Sequence, residues 1–186
     1  FDVPWKEGGR YFWFHNDGLQ NQSVLFTASS LTDAPRVLLD PNTLSKDGTT
    51  ALNTWSVSLD GRHLAYALSV AGSDWTEFHV RNVDDGRDLA DTLRWVKFSG
   101  ASWAADSSGF FYSRYDAPKE GAKALREANY YQKLYFHRLG TPQDADVLVY
   151  DRPDQKEWGF SGEATRDGRF LIITVTHGTE RKNRIF

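Results

Sequence analysis

The chain has 186 residues, a net charge of −3, 15 % aromatic side chains and no cysteine. No large basic surplus points to nucleic acid or an anionic membrane, and the missing cysteines exclude disulfides and thiolate chemistry. No apolar run reaches the roughly 18 residues of a spanning helix, and Phe1-Asp2-Val3-Pro4-Trp5-Lys6-Glu7 lacks a charged-then-apolar leader layout.

Taken in chain order, the first predicted strand is Gly9-Arg10-Tyr11-Phe12-Trp13-Phe14-His15, a turn glycine followed by an apolar run. Strands over 23–27 and 35–39 complete a first group. The next segment introduces a pattern that returns: an anchor residue, a turn glycine six positions later, then a strand. It runs from Trp55 to Asp60-Gly61, from Trp103 to Ser108-Gly109, and from Gly162 to Asp167-Gly168. Each turn glycine is expected to take a positive φ. The strands that follow are 62–68, 110–113 and 169–175, and further strands over 77–83, 87–89, 133–139 and 146–150 fill the gaps.

A loose period of about 50 residues in short β-rich units reads as a radial array of small sheets. The expected fold is therefore all-β, a β-propeller of four-stranded antiparallel blades. The blades fall at residues 1–52, 53–98 and 99–150, with a fourth begun over 151–186. That makes about three and a half blades, where propellers close with about four to eight. An open arc would expose sheet edges, so the chain is expected to be part of a longer polypeptide.

Few catalytic patterns survive inspection. Gly159-Phe160-Ser161-Gly162-Glu163 lacks the last glycine of a nucleophile elbow. The histidines at 15, 63, 79, 137 and 177 show no metal-binding spacing and read as strand residues. No metal or cofactor is expected. The carboxylates Asp84-Asp85 and Asp144 with Asp146 read as solvated turn charges. Between Tyr115 and Tyr131 lies a polar connection longer than a hairpin needs, which is either a tolerated insertion or a functional flap.

Several words between the repeats carry a family likeness. The stretches 10–22, Leu39-Asp40-Pro41-Asn42, Ser69-Val70-Ala71-Gly72-Ser73-Asp74-Trp75, Val96-Lys97-Phe98-Ser99 and 132–141 closely resemble the propeller of the prolyl oligopeptidase family. The likeness runs nearly end to end and covers the first half of a seven-bladed propeller. It implies a cytoplasmic or periplasmic serine peptidase, monomeric at full length, that cleaves short peptides after proline. Its triad lies in an α/β-hydrolase domain outside these residues, so no catalytic residue is named here, and the propeller covers the active site and excludes large substrates.

By the same resemblance, Phe98 matches an aromatic that contacts the substrate side chain two residues before the proline. Gly159 and Thr179 fall where some members line that pocket with larger or softer apolar residues, which implies a different subsite here. Asp74 matches an acidic residue at the interface with the hydrolase domain. The 115–131 connection, with Tyr115, Lys119, Arg126 and Tyr131, corresponds to a flexible loop near the domain gap. Two of these have a plainer alternative: Phe98 could pack between blades, and Asp74 could cap the turn before Trp75. Two other functions stand beside the first, a propeller serving only as an interaction scaffold and a related peptidase cutting after basic residues.

Overall fold

The computed structural model describes residues 3–45, 47–117, 130–180 and 182–186. The chain is all-β with antiparallel sheets, its only described helical pieces being two three-residue 3-10 turns. It divides into two compact units, residues 1–92 and 93–186.

The first unit opens with β1 (Trp5–Glu7), β2 (Arg10–His15), β3 (Val24–Ala28) and β4 (Arg36–Leu39), which pair in that order. The predicted set lacked β1, whose three residues are too few for an alternation signal. β5 (Thr50–Val57), β6 (His63–Val70) and β7 (Thr76–Asn82) form a second meander that continues into β8 (Asp88–Val96). Phe12, Leu25, Leu39, Leu64 and Tyr66 pack into one buried core, with Trp5 and Phe14 against it. Trp5 stacks on Trp55 with ring centroids 4.8 Å apart.

The second unit contains β9 (Ser102–Trp103), β10 (Gly109–Arg114), β11 (Lys133–Arg138) and β12 (Val147–Tyr150). β10 lies at the centre, pairing with β11 along one edge and with β9 and the end of β8, at Val96, along the other. β13 (Trp158–Ala164), β14 (Leu171–His177) and β15 (Arg184–Ile185) make a three-stranded sheet. Phe160 and Val175 of this sheet pack with Leu134 of β11 into a buried core. All five histidines fall in strands.

The recurring turn has a definite chemistry. In the first copy Asp60 accepts from Ser58 Oγ at 2.6 Å and from the Arg62 amide at 3.0 Å, while Ser58 Oγ accepts from the His63 amide at 2.9 Å. In the last copy Asp167 accepts from Thr165 Oγ1 at 2.6 Å and from the Arg169 amide at 3.1 Å, and Thr165 Oγ1 accepts from the Phe170 amide at 3.1 Å. Gly61 and Gly168 follow with φ of +72° and +68°. The middle copy departs from the expected register. Its carboxylate is Asp106, which accepts from the Ser108 amide at 3.0 Å, and the left-handed residue is Ser107 at φ +56°. Gly109 has an ordinary φ and is needed for a different reason: a Cβ there would sit 2.0 Å from the His137 carbonyl oxygen across the sheet. Trp103 is thus not the counterpart of Trp55, and the equal six-residue step in that copy is a coincidence of spacing.

Gly8, in the β1–β2 turn, has φ +54°, and its missing Cβ would lie 2.1 Å from the Asp60 carbonyl carbon. Gly8→Ala should therefore destabilise the protein by more than the 1 to 2 kcal/mol or so of a left-handed alanine. Urea unfolding measures this as a lowered midpoint, and an unchanged midpoint would contradict the close approach.

A second correction concerns Asp146. It is not a solvated turn charge: its side chain is fully buried, with Oδ1 2.7 Å from His137 Nδ1 and Oδ2 accepting from the Tyr112 hydroxyl at 2.5 Å. Gln143 extends the network, donating to Tyr112 Oη at 3.0 Å and to the Arg94 carbonyl at 3.0 Å. Burial pushes the Tyr112 hydroxyl well above the usual phenol range, and the neighbouring carboxylate adds to the effect. Partners 9 and 34 residues away made this invisible to local reading.

Candidate functional site

The site lies wholly in the second unit. A cavity of about 560 Å³ is lined on one side by Phe98, Tyr115 and Gln132, and on the other by Glu157, Gly159, Phe160, Ser161, Thr176, Gly178 and Thr179. Phe98, Gly159, Thr179 and Tyr115 therefore converge on one pocket.

Phe98 sits two residues beyond the end of β8, at φ +55°, an uncommon conformation for a bulky side chain. Phe98 is 73 % exposed, so it is not packed into the core of any described sheet. The Lys97 ammonium lies 5.0 Å from the ring centroid. The residues on either side of Phe98 are tied down. Lys97 C=O accepts from Gln132 Nε2 at 2.9 Å, and Ser99 Oγ accepts from the Ser113 amide at 2.8 Å.

Gly159 lies on β13 opposite Thr176. A Cβ there would meet Thr176 Oγ1 at 2.9 Å and Gln132 Oε1 at 3.2 Å, so glycine keeps this wall open. Thr179 follows Gly178 in the turn after β14 and is exposed. The Tyr115 amide donates to Trp95 C=O at 3.0 Å, and burial pushes its hydroxyl pKa up. Tyr131 does not line the cavity; its amide donates to Lys156 C=O at 2.7 Å. Lys119 and Arg126 lie outside the described residues. Asp74 belongs to the first unit, exposed in the turn between β6 and β7. There the Trp75 amide donates to Ser73 Oγ at 3.1 Å.

Sequence reading missed Gln132, Glu157 and His177. Gln132 is 3 % exposed, and a buried amide is recognised only once its neighbours are placed. His177 Nε2 lies 3.0 Å from Glu157 and Nδ1 2.9 Å from Glu180, the latter a short-range pairing that the sequence spacing allowed. These two carboxylates, Glu157 foremost, raise the His177 pKa above its ordinary 6.5. An imidazole with a raised folded-state pKa contributes stability that is complete below the unfolded value and fades as pH rises through the folded one. An NMR titration of His177 should give a midpoint above 6.5 that Glu157→Gln lowers; a midpoint at or below 6.5 would contradict the pairing.

The pocket offers an exposed ring, hydroxyls, a buried amide and one carboxylate, an apolar face beside a few polar groups. Ser161 lies mid-strand in β13, opposite Thr174, and lacks the strand-to-helix turn of a nucleophile elbow. Among the described residues no group of three or more His, Cys, Asp or Glu is arranged to hold a metal ion. No helix among them is long and apolar enough to cross a membrane.

A family model described as the N-terminal β-propeller domain of prolyl oligopeptidase matches residues 1–186. The chain belongs to the prolyl oligopeptidase family. It is 40 % identical over 179 residues to the prolyl endopeptidase of Elizabethkingia miricola, covering 95 % of this chain and 25 % of that protein. It is 35 % identical over 211 residues to prolyl oligopeptidase A of Amanita bisporigera, covering 100 % of this chain and 28 % of that protein. Among solved structures, prolyl oligopeptidase B from Galerina marginata bound to a 25mer macrocyclization substrate matches with a TM-score of 0.89 at 31 % identity, over 99 % of this chain and 28 % of that one. The chain thus spans about a quarter of the length of these prolyl oligopeptidase relatives, and the family model it matches is that of their N-terminal propeller domain.

Proposed function

We propose that this chain is the propeller segment of a serine endopeptidase that cleaves short peptides on the carboxyl side of proline, and that its pocket receives the substrate side chain two residues before that proline. The observation that carries the reading is the meeting of Phe98, Gly159, Thr179 and Tyr115 on one cavity of about 560 Å³, in a chain of this family. Phe98 supplies an apolar face, Gly159 leaves room for a large group, and Thr176 and Thr179 offer hydroxyls. The catalytic triad is supplied by an α/β-hydrolase domain of the same polypeptide, and Asp74 helps hold the two domains together. The propeller limits access to small substrates, with the connection that starts at Tyr115 as part of the gate. The full-length protein is a cytoplasmic monomer, with a periplasmic location as the alternative.

The test is mass-spectrometric mapping of the products that the full-length polypeptide releases from a mixed peptide library and from a folded protein. Cleavage after proline in short peptides, with the folded protein untouched, is the expected result. Cleavage after basic residues, or no hydrolysis at all, would reject the reading in favour of the related peptidase or the interaction scaffold.

A further inference from the structure

Phe98 holds a strained backbone conformation with its ring largely in solvent, so its own packing does not account for its fixed position. Its flanking residues do. Lys97 C=O accepts from Gln132 Nε2 at 2.9 Å, and Ser99 Oγ accepts from the Ser113 amide at 2.8 Å. Both tying residues then reach the same residue of β13, Phe160, one at its amide and the other at its carbonyl. The Phe160 amide donates to Gln132 Oε1 at 2.7 Å, and Ser113 Oγ donates to Phe160 C=O at 2.6 Å. β13 is the edge strand of its sheet, and at Phe160 these two side chains take the place of a neighbouring strand.

We infer that Gln132 is a positioning residue for the pocket, a strut that sets the distance between the Phe98 face and the Gly159 wall. This rests on the reading of the pocket as a substrate subsite. The amide suits the task because it donates at one end and accepts at the other, and its orientation is fixed by its partners: a flipped amide would set oxygen against the Lys97 carbonyl and NH₂ against the Phe160 amide. Being 3 % exposed, it has little water to replace a lost partner. Its Oε1 also lies 3.2 Å from where a Gly159 Cβ would stand, so the same atom bounds the pocket floor. Methionine would keep the length but neither bond, and glutamate would keep the acceptor while setting a carboxylate oxygen against the Lys97 carbonyl.

The test uses the full-length polypeptide and two proline peptides, one with a bulky residue two positions before the proline and one truncated so that nothing enters the pocket. Gln132→Met and Gln132→Glu should each lower kcat/KM on the bulky substrate by about fivefold and leave the truncated one within about twofold, and Gln132→Met should have no further effect in a Phe98→Ala background, since coupled residues are not additive. Two variants guard against one failing to fold. Equal losses on both substrates, or no loss, would overturn the strut. If Phe98→Ala itself fails to separate the two substrates, the subsite reading is what fails; if it separates them and neither Gln132 variant does, only the strut is rejected.

Discussion

Asp146→Ala is expected to destabilise the protein by about 2 to 6 kcal/mol, since it leaves two buried groups without their shared acceptor at about 1 to 3 kcal/mol each. His137 and Asp146 side chains are both fully buried, and the carboxylate is the acceptor shared by His137 Nδ1 and the Tyr112 hydroxyl. Deleting it takes a hydrogen bond from each and leaves a hole between β10, β11 and the turn that leads into β12. Tyr112→Phe removes one of the two bonds while keeping the ring, and should cost only about 1 to 3 kcal/mol. Denaturant unfolding at neutral pH measures both. A loss for Asp146→Ala below that for Tyr112→Phe would mean that the carboxylate does not organise the network.

Phe98→Ala should lower kcat/KM about tenfold, or 1.4 kcal/mol, for peptides with a large side chain two residues before the proline, with little effect on truncated peptides. Phe98 is 73 % exposed and free to bury area against a substrate. Full burial of such a ring contributes about 1.5 to 3 kcal/mol, so a pocket open on one side should recover about half of that. Steady-state kinetics on a matched pair of substrates provides the measurement. Equal losses on both peptides would assign Phe98 to folding rather than to contact.

How far the sequence revealed these features depended on the range of the interactions. The turns at Asp60-Gly61 and Asp167-Gly168 were legible because every participant lies within five residues: a hydroxyl, a carboxylate two positions on, and a glycine after it. The middle copy misled because Ser107 takes the left-handed position while Gly109 serves a cross-sheet contact with His137. The place of Phe98 at the cavity was suggested only by its surrounding word, since nothing local distinguishes an exposed aromatic from a core one. Asp146, Gln132 and the His177 cluster were misread or missed because their roles depend on partners brought close by the sheets. A carboxylate next to a turn looks solvated until a buried histidine is found against it.

The most direct test of the central claim, that this cavity receives the substrate side chain, is photo-crosslinking. A proline peptide carrying a photoreactive phenylalanine two residues before the proline would be irradiated with the full-length polypeptide, and the adducts mapped by mass spectrometry. Crosslinks concentrated on Phe98, on residues 157–161 or on residues 176–179, and competed away by unlabelled peptide, are the predicted result. Competed crosslinks that fall elsewhere and leave this pocket unlabelled would contradict it.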